Sequence, residues 1–255
     1  MDKVLNIVIP MAGLGSRFSK AGYQVPKPLI PIHGVPMIKL VIDNIRPSTP
    51  ARFVFICQSA HVVQHDLRNN LDLWAPASVV VELDDLTEGA ACTVLSAVRY
   101  IDNDAPLMIA NSDQYVDVSI DDYLEAMIKR QLDGLLMTMT AHDTKWSFAE
   151  VNESGLVARV EEKVPISNHA TVGIYNFRQG SDFVRAAQSM IAKNLRVNNE
   201  FYVAPVYNQL IERGARIGIY DIGSVDNGMY GLGTPDDLQS FLSRPISLRA
   251  SKKAK

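Results

Sequence analysis

The sequence predicts an α/β fold in which helices flank a mainly parallel sheet. Two observations lead to this prediction. Short apolar runs rich in β-branched residues alternate with segments of helical periodicity, and three such strand–helix units fall within the first 110 residues. The 255 residues are 47% hydrophobic and 21% charged, which is enough to bury one large core. We therefore expect a single domain over residues 1–245 and a short basic tail over residues 246–255.

The first half of the chain alternates strands and helices in a regular order. The predicted strands are 5–10, 52–57, 78–83 and 105–110. The predicted helices are 36–45, which opens on a proline, 59–71, which opens on the capping Ser59, and 88–101, behind Thr87. Parallel sheets place ligand sites at the carboxyl ends of their strands, so the loops after these strands are expected to share one rim.

The second half is predicted to be antiparallel or mixed, and to cover a site that the first half opens. Its predicted strands lie within 133–142, 146–152, 156–162, 170–177 and 216–220, and its predicted helices lie near 179–193, near 203–213 and from Thr234 onward. Residues 247–255 are basic and are predicted to form a solvated, frayed end.

Charge and composition exclude several functional classes. A formal net charge of −3 gives no general attraction to nucleic acid, so no nucleic-acid partner is expected. Cys57 and Cys92 lie in apolar surroundings without a CxxC pair, which favours buried thiols in a reducing compartment. No apolar stretch reaches about 18 residues and no signal peptide is seen. We expect a cytoplasmic protein that does not bind membranes, and leave a homo-oligomer open.

The segment 11–31 is polar, cationic and rich in glycine and proline, and it follows a buried strand. Gly13 and Gly15 allow bare backbone to approach an anion, with successive N–H groups facing it. Arg17 and Lys27 add charged donors, and the prolines on both sides of Lys27 restrict its backbone. These features predict a cradle for a triphosphate.

Other common phosphate and metal motifs do not fit this sequence. A dinucleotide-binding GxGxxG would need glycine where Phe18 stands, and an acidic residue where Gln58 stands. The glycines also lack the GxxxxGK[ST] spacing of a P-loop. His61 and His65 form HxxxH, but without the glutamate of zinc proteases they are interpreted as solvated helix residues.

The whole string resembles the signature of the sugar nucleotidyltransferases, the nucleoside-diphosphate-sugar pyrophosphorylases. That signature is a strand, G-x-G-[ST]-R, a variable spacer and P-K-P-L-x-P, matched here by Gly13, Gly15, Ser16, Arg17, Pro26, Lys27, Pro28, Leu29 and Pro31. The resemblance runs through most of the chain. It implies a Rossmann-like, mixed and mainly parallel sheet of the nucleotide-diphospho-sugar transferase type. It also implies condensation of an NTP with a sugar 1-phosphate, or a related phosphate ester, to give an NDP-sugar and pyrophosphate for surface polysaccharide precursors.

The resemblance assigns roles to individual residues. Asp113 follows the strand at 105–110, and a carboxylate at this end of a strand, among phosphates, suits Mg²⁺. The candidate catalytic residues are Arg17, Lys27 and Asp113. The candidates for binding the nucleotide are Ala12, Gly13, Leu14, Gly15, Ser16, Gln58, Glu88, Gly89 and Ala90. The candidates for binding the phosphorylated acceptor are Glu162, Lys163, Gly173, Glu200 and Tyr202.

One departure from the family pattern keeps other functions open. The family supplies a second metal-binding aspartate where this chain has Gly231, so Asp226 or a water is the candidate substitute. The missing aspartate favours a non-catalytic nucleotide-binding regulator as one alternative. An NDP-sugar-dependent glycosyltransferase is a second, although Asp113 is followed by Gln114 and Tyr115 and not by a D-x-D motif.

Overall fold

The apolar runs of the sequence become strands of one large sheet. A computed structural model describes residues 3–254. Its strands are β1 (Leu5–Pro10), β2 (Pro31–Ile32), β3 (Val35–Pro36), β4 (Ala51–Gln58), β5 (Val79–Leu83), β6 (Leu107–Ala110), β7 (Gln114–Val116), β8 (Gly134–Thr140), β9 (Ser147–Val151), β10 (Val157–Glu162), β11 (His169–Phe177), β12 (Ile217–Val225) and β13 (Gly228–Gly231).

Helices follow most of these strands along the chain. They are α1 (Ser16–Lys20), α2 (Met37–Ile45), α3 (Ser59–Gln64), α4 (Leu67–Trp74), α5 (Ala90–Leu95), α6 (Val98–Ile101), α7 (Ile120–Lys129), α8 (Gly180–Ala192), α9 (Val206–Ile211), α10 (Pro235–Leu242) and α11 (Pro245–Lys253). One turn of 3-10 helix covers Lys27–Leu29.

The central sheet is mainly parallel, which confirms the predicted fold class. Its strand order is β5-β4-β1-β6-β11-β8-β12-β13-β7, and β9 and β10 form a ribbon attached to β11. Strands β4, β1, β6 and β5 run parallel, as the first half of the sequence predicts. β11 runs antiparallel between β6 and β8, and β7 runs antiparallel to β13. The carboxyl ends of β1 and β6 therefore open at one rim.

Helices cover both faces of the sheet because alternate side chains of each strand point to opposite faces. In β1, Ile7 and Ile9 pack with residues of α2, α4 and α7, whereas Val8 packs with residues of α5, α8 and α9. Full burial of each such side chain stabilises the fold by about 1.5–3 kcal/mol. The strand that carries the site is thus held from both sides.

Two helices that the sequence predicts as continuous are broken. The segment 59–71 divides into α3 and α4 at Asp66, whose φ of 48° is left-handed and ends the first helix. The segment 88–101 divides into α5 and α6, and α5 begins only at Ala90, after Gly89 with a φ of 123°. The short strands β7 and β13 and the helix α7, capped by the Ser119 hydroxyl, were not predicted.

The predicted frayed end is wrong, because residues 245–253 form helix α11. Small side chains at helical spacing, Ser247, Ala250 and Ser251, are buried on one face of this helix. The Ser251 hydroxyl donates to the Ile32 carbonyl at 3.1 Å, and the Arg249 guanidinium donates to Asp117 at 2.7 Å. Serine and alanine let the helix lie close to a cluster of apolar side chains that includes Ile32, Leu238 and Phe241, while its lysines stay in solvent.

The two cysteines form no disulfide. Cys57 is fully buried in β4, where burial raises the pKa of its thiol to about 12. Cys92 in α5 is only half-buried, so the expectation of a buried thiol is correct for Cys57 alone.

Among residues 3–254, no helix is both long and apolar enough to cross a membrane.

Candidate functional site

The glycine loop leaves β1 at the carboxyl edge of the sheet. Its backbone is held from behind, because the Gln58 side-chain amide donates to the Ala12 carbonyl at 2.8 Å. Gly15 has a left-handed φ of 61° and precedes the first turn of α1. Gly13 has no positive φ, and a Cβ there would meet no protein atom within 4 Å. The loop therefore presents open space beside Gly13 and a constrained turn at Gly15.

Gly15 and Lys27 bring the two halves of the signature into contact. A Cβ on Gly15 would lie 3.3 Å from the Lys27 Cβ, which is tighter than ordinary van der Waals contact. Lys27 begins the single turn of 3-10 helix that follows Pro26, and this turn fixes its backbone. The missing Cβ at residue 15 thus lets the lysine lie directly against the glycine loop.

Lys27 meets Asp113 across the rim. The Lys27 Nζ lies 2.5 Å from the Asp113 Oδ2, and the two side chains are 20% and 24% exposed. Asp113 follows β6, and its carbonyl accepts a hydrogen bond from the Leu232 N–H at 2.8 Å, which ties it to the end of β13. An ammonium and a carboxylate are therefore concentrated at one point beside the glycine loop.

A cavity of about 400 Å³ opens between the glycine loop and the segment 86–93, which is within the size range of small-molecule sites. The loop side is formed by Pro10, Met11, Ala12, Gly13, Gly15, Lys27 and Pro28. The facing side is formed by Leu86, Thr87, Gly89, Ala90, Thr93, Asn111, Ser112, Asp113 and Glu200. Exposed backbone and the Lys27–Asp113 pair thus line the same space.

A second groove of about 480 Å³ lies among β10, α8 and α9. Its charged side chains pair with neighbours: Arg159 with Glu150 at 3.2 Å, and Glu212 with Lys193 at 2.7 Å. It contains neither the glycine loop nor the Lys27–Asp113 pair, so we assign the candidate site to the first cavity.

Backbone contact closes the far side of the cavity. The Phe201 N–H donates to the Glu88 carbonyl at 2.8 Å, and the Ala91 N–H donates to the Phe201 carbonyl at 2.9 Å. A Cβ on Gly89 would lie 2.5 Å from the Phe201 nitrogen, so only glycine permits this contact. The Glu88 carboxylate turns away to Arg196, which donates to it at 3.1 and 3.3 Å.

Gly173 lies directly against polar residues at the edge of the cavity. It has a φ of 82°, and a Cβ there would lie 2.2 Å from the Asn111 amide nitrogen and 2.8 Å from the Gln114 amide oxygen. The Asn111 N–H donates to the Gly173 carbonyl at 2.9 Å. Because Asn111 also lines the cavity, the irregular middle of β11 lies directly beside it.

A second polar region, formed by Ser147, Glu162, Lys163 and Tyr202, contains a buried carboxylate and a hydrogen-bonded ammonium. Glu162 is 5% exposed and accepts a hydrogen bond from the Ser147 hydroxyl, and its burial raises the pKa of the carboxyl. The Lys163 ammonium donates to the Tyr202 hydroxyl at 2.6 Å, a bond that raises the pKa of the lysine. Burial raises the pKa of the Tyr202 hydroxyl. These groups can donate to and accept from a hydroxylated, phosphorylated ligand.

The structure brings some predicted site residues into the cavity and leaves others around it. The cavity is lined by Ala12, Gly13, Gly15, Lys27, Gly89, Ala90, Asp113 and Glu200. Outside its lining, Leu14, Ser16 and Arg17 are exposed beside the loop, and Gln58 supports the loop. Gly173 lies against Asn111 at the edge of the cavity, and Glu162, Lys163 and Tyr202 lie in the second polar region.

Sequence reasoning missed five polar residues at the site. Asn111 and Ser112 line the cavity, as do Thr87 and Thr93, whose hydroxyls lie 2.6 Å apart. The polar string directly after β6 was the available signal for Asn111 and Ser112. The fifth residue, Asp237, carries the T-x-x-D signature of a helix cap and gave no sign of a site role.

Two carboxylates could hold a metal ion here. A Cβ at Gly233 would lie 3.1 Å from the Asp113 Oδ2 and 3.9 Å from the Asp237 Oδ2. Mg²⁺ prefers oxygen ligands and typically takes one or two carboxylates together with substrate phosphates. Among residues 3–254, no group of three or more His, Cys, Asp or Glu side chains gathers to form a complete protein cage. The donors present therefore fit Mg²⁺ bound together with a nucleotide.

Asp226, the sequence-based candidate for the second ligand, lies elsewhere. It occupies the turn between β12 and β13 with a φ of 64°. Its carboxylate accepts a hydrogen bond from the Arg244 guanidinium at 2.7 Å. The carboxylate adjacent to Gly231 is instead that of Asp237, whose Cγ would lie 3.4 Å from a Cβ at residue 231.

Comparison with known proteins gives concordant matches. The sequence profile of the family described as nucleotidyl transferase matches residues 7–219. The crystal structure of the nucleoside-diphosphate-sugar pyrophosphorylase from Vibrio cholerae RC9 is similar, with a TM-score of 0.81 and 28% identity, covering 93% of this chain and 100% of that one. The inositol-1-phosphate CTP transferase from T. maritima has the same fold, with a TM-score of 0.74 at 16% identity over 99% of this chain and 97% of that one.

The chain is also similar to part of two larger proteins. The bifunctional protein GlmU of Methanococcus aeolicus is 24% identical over 177 residues, which cover 68% of this chain and 40% of that protein. The bifunctional protein GlmU of Ralstonia nicotianae is 26% identical over 222 residues, or 84% and 45% of the two chains. This chain thus spans less than half the length of these relatives.

Proposed function

The chain belongs to the nucleotidyl transferase family, and from this premise we propose that it condenses an NTP with a sugar 1-phosphate to give an NDP-sugar and pyrophosphate. The observation that carries the proposal is the Lys27–Asp113 pair, 2.5 Å apart, in the wall of a cavity that the glycine loop also lines. The similarity to the Vibrio cholerae nucleoside-diphosphate-sugar pyrophosphorylase supports the choice of a sugar phosphate as acceptor.

The glycine loop is proposed to bind the triphosphate. Backbone N–H groups beside the open space at Gly13 can face phosphate oxygens, and the Lys27 ammonium adds a charge in the same cavity. The Arg17 guanidinium is exposed at the start of α1 and, within residues 3–254, makes no hydrogen bond or ion pair. It is therefore available to reach phosphates that extend out of the cavity.

The reaction we propose is a direct in-line displacement at the α-phosphorus of the NTP. A phosphate oxygen of the acceptor forms the new P–O bond, and the bond to the β-phosphate breaks, releasing pyrophosphate. Lys27 stabilises negative charge on the phosphoryl group and the leaving group, while the cavity holds the two reactants in line. Mg²⁺ bound at Asp113 would supply charge neutralisation between the phosphates. No nucleophilic side chain is needed.

The acceptor is proposed to bind in the second polar region. The Glu162 carboxylate is suited to accept hydrogen bonds from sugar hydroxyls, and its exposed fraction of 5% means that such bonds would form away from bulk water. The Lys163 ammonium, held by Tyr202, is suited to the acceptor's phosphate. Glu200 lines the triphosphate cavity and lies close to Lys163 and Tyr202, so the two ligands would meet beside Glu200.

An NDP-sugar is an activated glycosyl donor, so a glycosyl transfer reaction is the consumer we propose. We propose that this reaction builds a surface polysaccharide precursor in the cytoplasm. Glycine at residue 231 does not by itself favour a non-catalytic regulator, because the carboxylate of Asp237 lies next to it.

The test is pyrophosphate release, detected as phosphate through pyrophosphatase. CTP, UTP, dTTP, GTP and ATP are each paired with a set of sugar 1-phosphates and with non-sugar phosphates such as phosphocholine. We expect Mg²⁺-dependent release with one pair, and loss of that release in Lys27→Ala. Silence across the panel, while an NTP still raises the melting temperature, would contradict the proposed reaction and support a protein that only binds nucleotide.

A further inference from the structure

The family's second metal-binding position is glycine in this chain, and the space beside it is filled by a carboxylate from another element. Gly231 ends β13 and pairs with Gln114 in β7, so it is adjacent to Asp113 in the sheet. The Asp237 side chain, from the first turn of α10, approaches to 3.4 Å from the position that a Cβ of residue 231 would take. An aspartate at residue 231 would therefore compete with Asp237 for the same volume.

Helix capping does not use the Asp237 carboxylate. The cap is formed by the Asp237 backbone N–H, which donates to the Thr234 hydroxyl at 3.1 Å. Within residues 3–254 the carboxylate itself has neither a hydrogen-bond donor nor a cation as partner. It is half-buried, and it shares with Asp113 the space next to Gly233. Lys27 already balances the charge of Asp113, so Asp237 is the carboxylate of this pair that a bound cation would still have to balance.

We propose that Asp237, in helix α10, supplies the second carboxylate of the Mg²⁺ site in place of residue 231 of β13, which is glycine. The inference rests on the proposed function for the identity of the metal and deepens it by naming the ligand. Glycine at residues 231 and 233 leaves the room that both carboxylates need. Asp226 lies in the turn between β12 and β13 and pairs with Arg244, whereas Asp237 is the carboxylate next to Gly231 and Gly233.

The test measures binding of Mn²⁺ alone, because carboxylate sites that suit Mg²⁺ also suit Mn²⁺. Free Mn²⁺ is counted from its electron paramagnetic resonance signal during titration of the wild-type chain and of Asp113→Asn, Asp237→Asn, Asp236→Asn and Asp226→Asn. Asp236→Asn is the matched control: it removes the same charge from the same helical turn, but its side chain is exposed. Asparagine at residue 237 keeps the side-chain size and the backbone cap.

We expect Asp113→Asn and Asp237→Asn to weaken Mn²⁺ binding at least about tenfold, the lower end of the loss that follows removal of even a supporting partner of a metal ligand. Asp236→Asn and Asp226→Asn should bind as the wild type does. Equal Mn²⁺ affinity of Asp237→Asn and wild type, or no binding by the wild type at millimolar Mn²⁺, would overturn the inference.

Pyrophosphate release separates this inference from the proposed function. If Asp237→Asn loses Mn²⁺ but no substrate pair releases pyrophosphate, the proposed reaction fails and the ligand assignment stands. If the wild type releases pyrophosphate and Asp237→Asn needs no more Mg²⁺ for half-maximal rate, the ligand assignment fails and the reaction stands.

Discussion

Substitution of the two loop glycines by alanine should have opposite effects on stability. Gly15 has a φ of 61°, and its Cβ would lie 3.3 Å from the Lys27 Cβ. Gly13 has no positive φ, and its Cβ would meet nothing within 4 Å. Both residues line the proposed triphosphate cavity. One motif therefore contains a glycine required by the fold and a glycine that only a ligand would require.

The magnitudes follow from these geometries. In Gly15→Ala, the left-handed conformation costs about 1–2 kcal/mol, and the lower entropy of the unfolded chain offsets about 0.4–1 kcal/mol of it. The net loss is about 1 kcal/mol before any cost of the Lys27 contact. In Gly13→Ala the entropy effect acts alone, so the free energy of unfolding should rise by about 0.4–1 kcal/mol. Loss of one hydrogen bond to a phosphate would cost about 1.5–3 kcal/mol, or about 10- to 150-fold in NTP affinity.

Urea unfolding measures the stabilities, and the rise in melting temperature with NTP and Mg²⁺ measures binding. We expect Gly13→Ala to be at least as stable as the wild type but to bind NTP weakly, and Gly15→Ala to be less stable. If Gly13→Ala is destabilised as much as Gly15→Ala, the loop geometry is wrong. If it is stable and binds NTP normally, the loop is not the triphosphate cradle.

Three further predictions concern other parts of the site. Lys27→Ala should lower kcat/KM about 100- to 1000-fold, whereas exposed Lys20→Ala should not, and a Lys27→Ala value within about threefold of wild type would refute the charge-stabilising role. The pKa of Glu162 is raised in the native state, so above pH 4.5 the native protein binds more protons than the unfolded chain, and the free energy of unfolding should fall as pH rises from there. Glu162→Gln should flatten that fall in urea unfolding at several pH values. An unchanged pH dependence in Glu162→Gln would argue against a raised pKa at this carboxyl. A Cβ at residue 89 would meet backbone at 2.5 Å, whereas Gly22 has a φ of 88° but open space around it, so Gly89→Ala should destabilise the protein far more than Gly22→Ala. Equal losses of melting temperature in the two variants would show that backbone strain alone accounts for both.

The sequence predicted the elements of the first half well because their signals are local. Continuous apolar runs produced β1, β4, β5 and β6 with their parallel arrangement, and the string after β1 marked the glycine loop. Breaks in the helices were not predicted, because the left-handed backbone at Asp66 interrupts a helical pattern that continues through it. Helix α11 was missed because its buried face is made of serine and alanine, which carry no hydrophobic signal.

Contacts between distant segments had no signal in the sequence. Residues 113 and 237 both approach Gly233 only because β7 and β13 pair at the edge of the sheet. Glu88 turns to Arg196 only because the segment at Phe201 lies against Gly89. A resemblance assigns roles by position along the chain, so it identified residue 231 as the place of the second carboxylate and found glycine there. The resemblance could not identify Asp237, because this carboxylate approaches the same place from the next helix.

The sequence by itself determined the α/β class and the glycine loop, because residue type and short spacing encode them, and the family resemblance named Lys27 and Asp113 as candidates. Tertiary structure decided which of the charged candidates meet. Lys27 and Asp113 are 86 positions apart and yet 2.5 Å apart in space, while Asp226 is drawn to Arg244 and Asp237 takes its place beside Gly231. The physical reason is that side-chain positions across a sheet depend on strand order and register, which are set by packing of the whole core and not by any local stretch of residues.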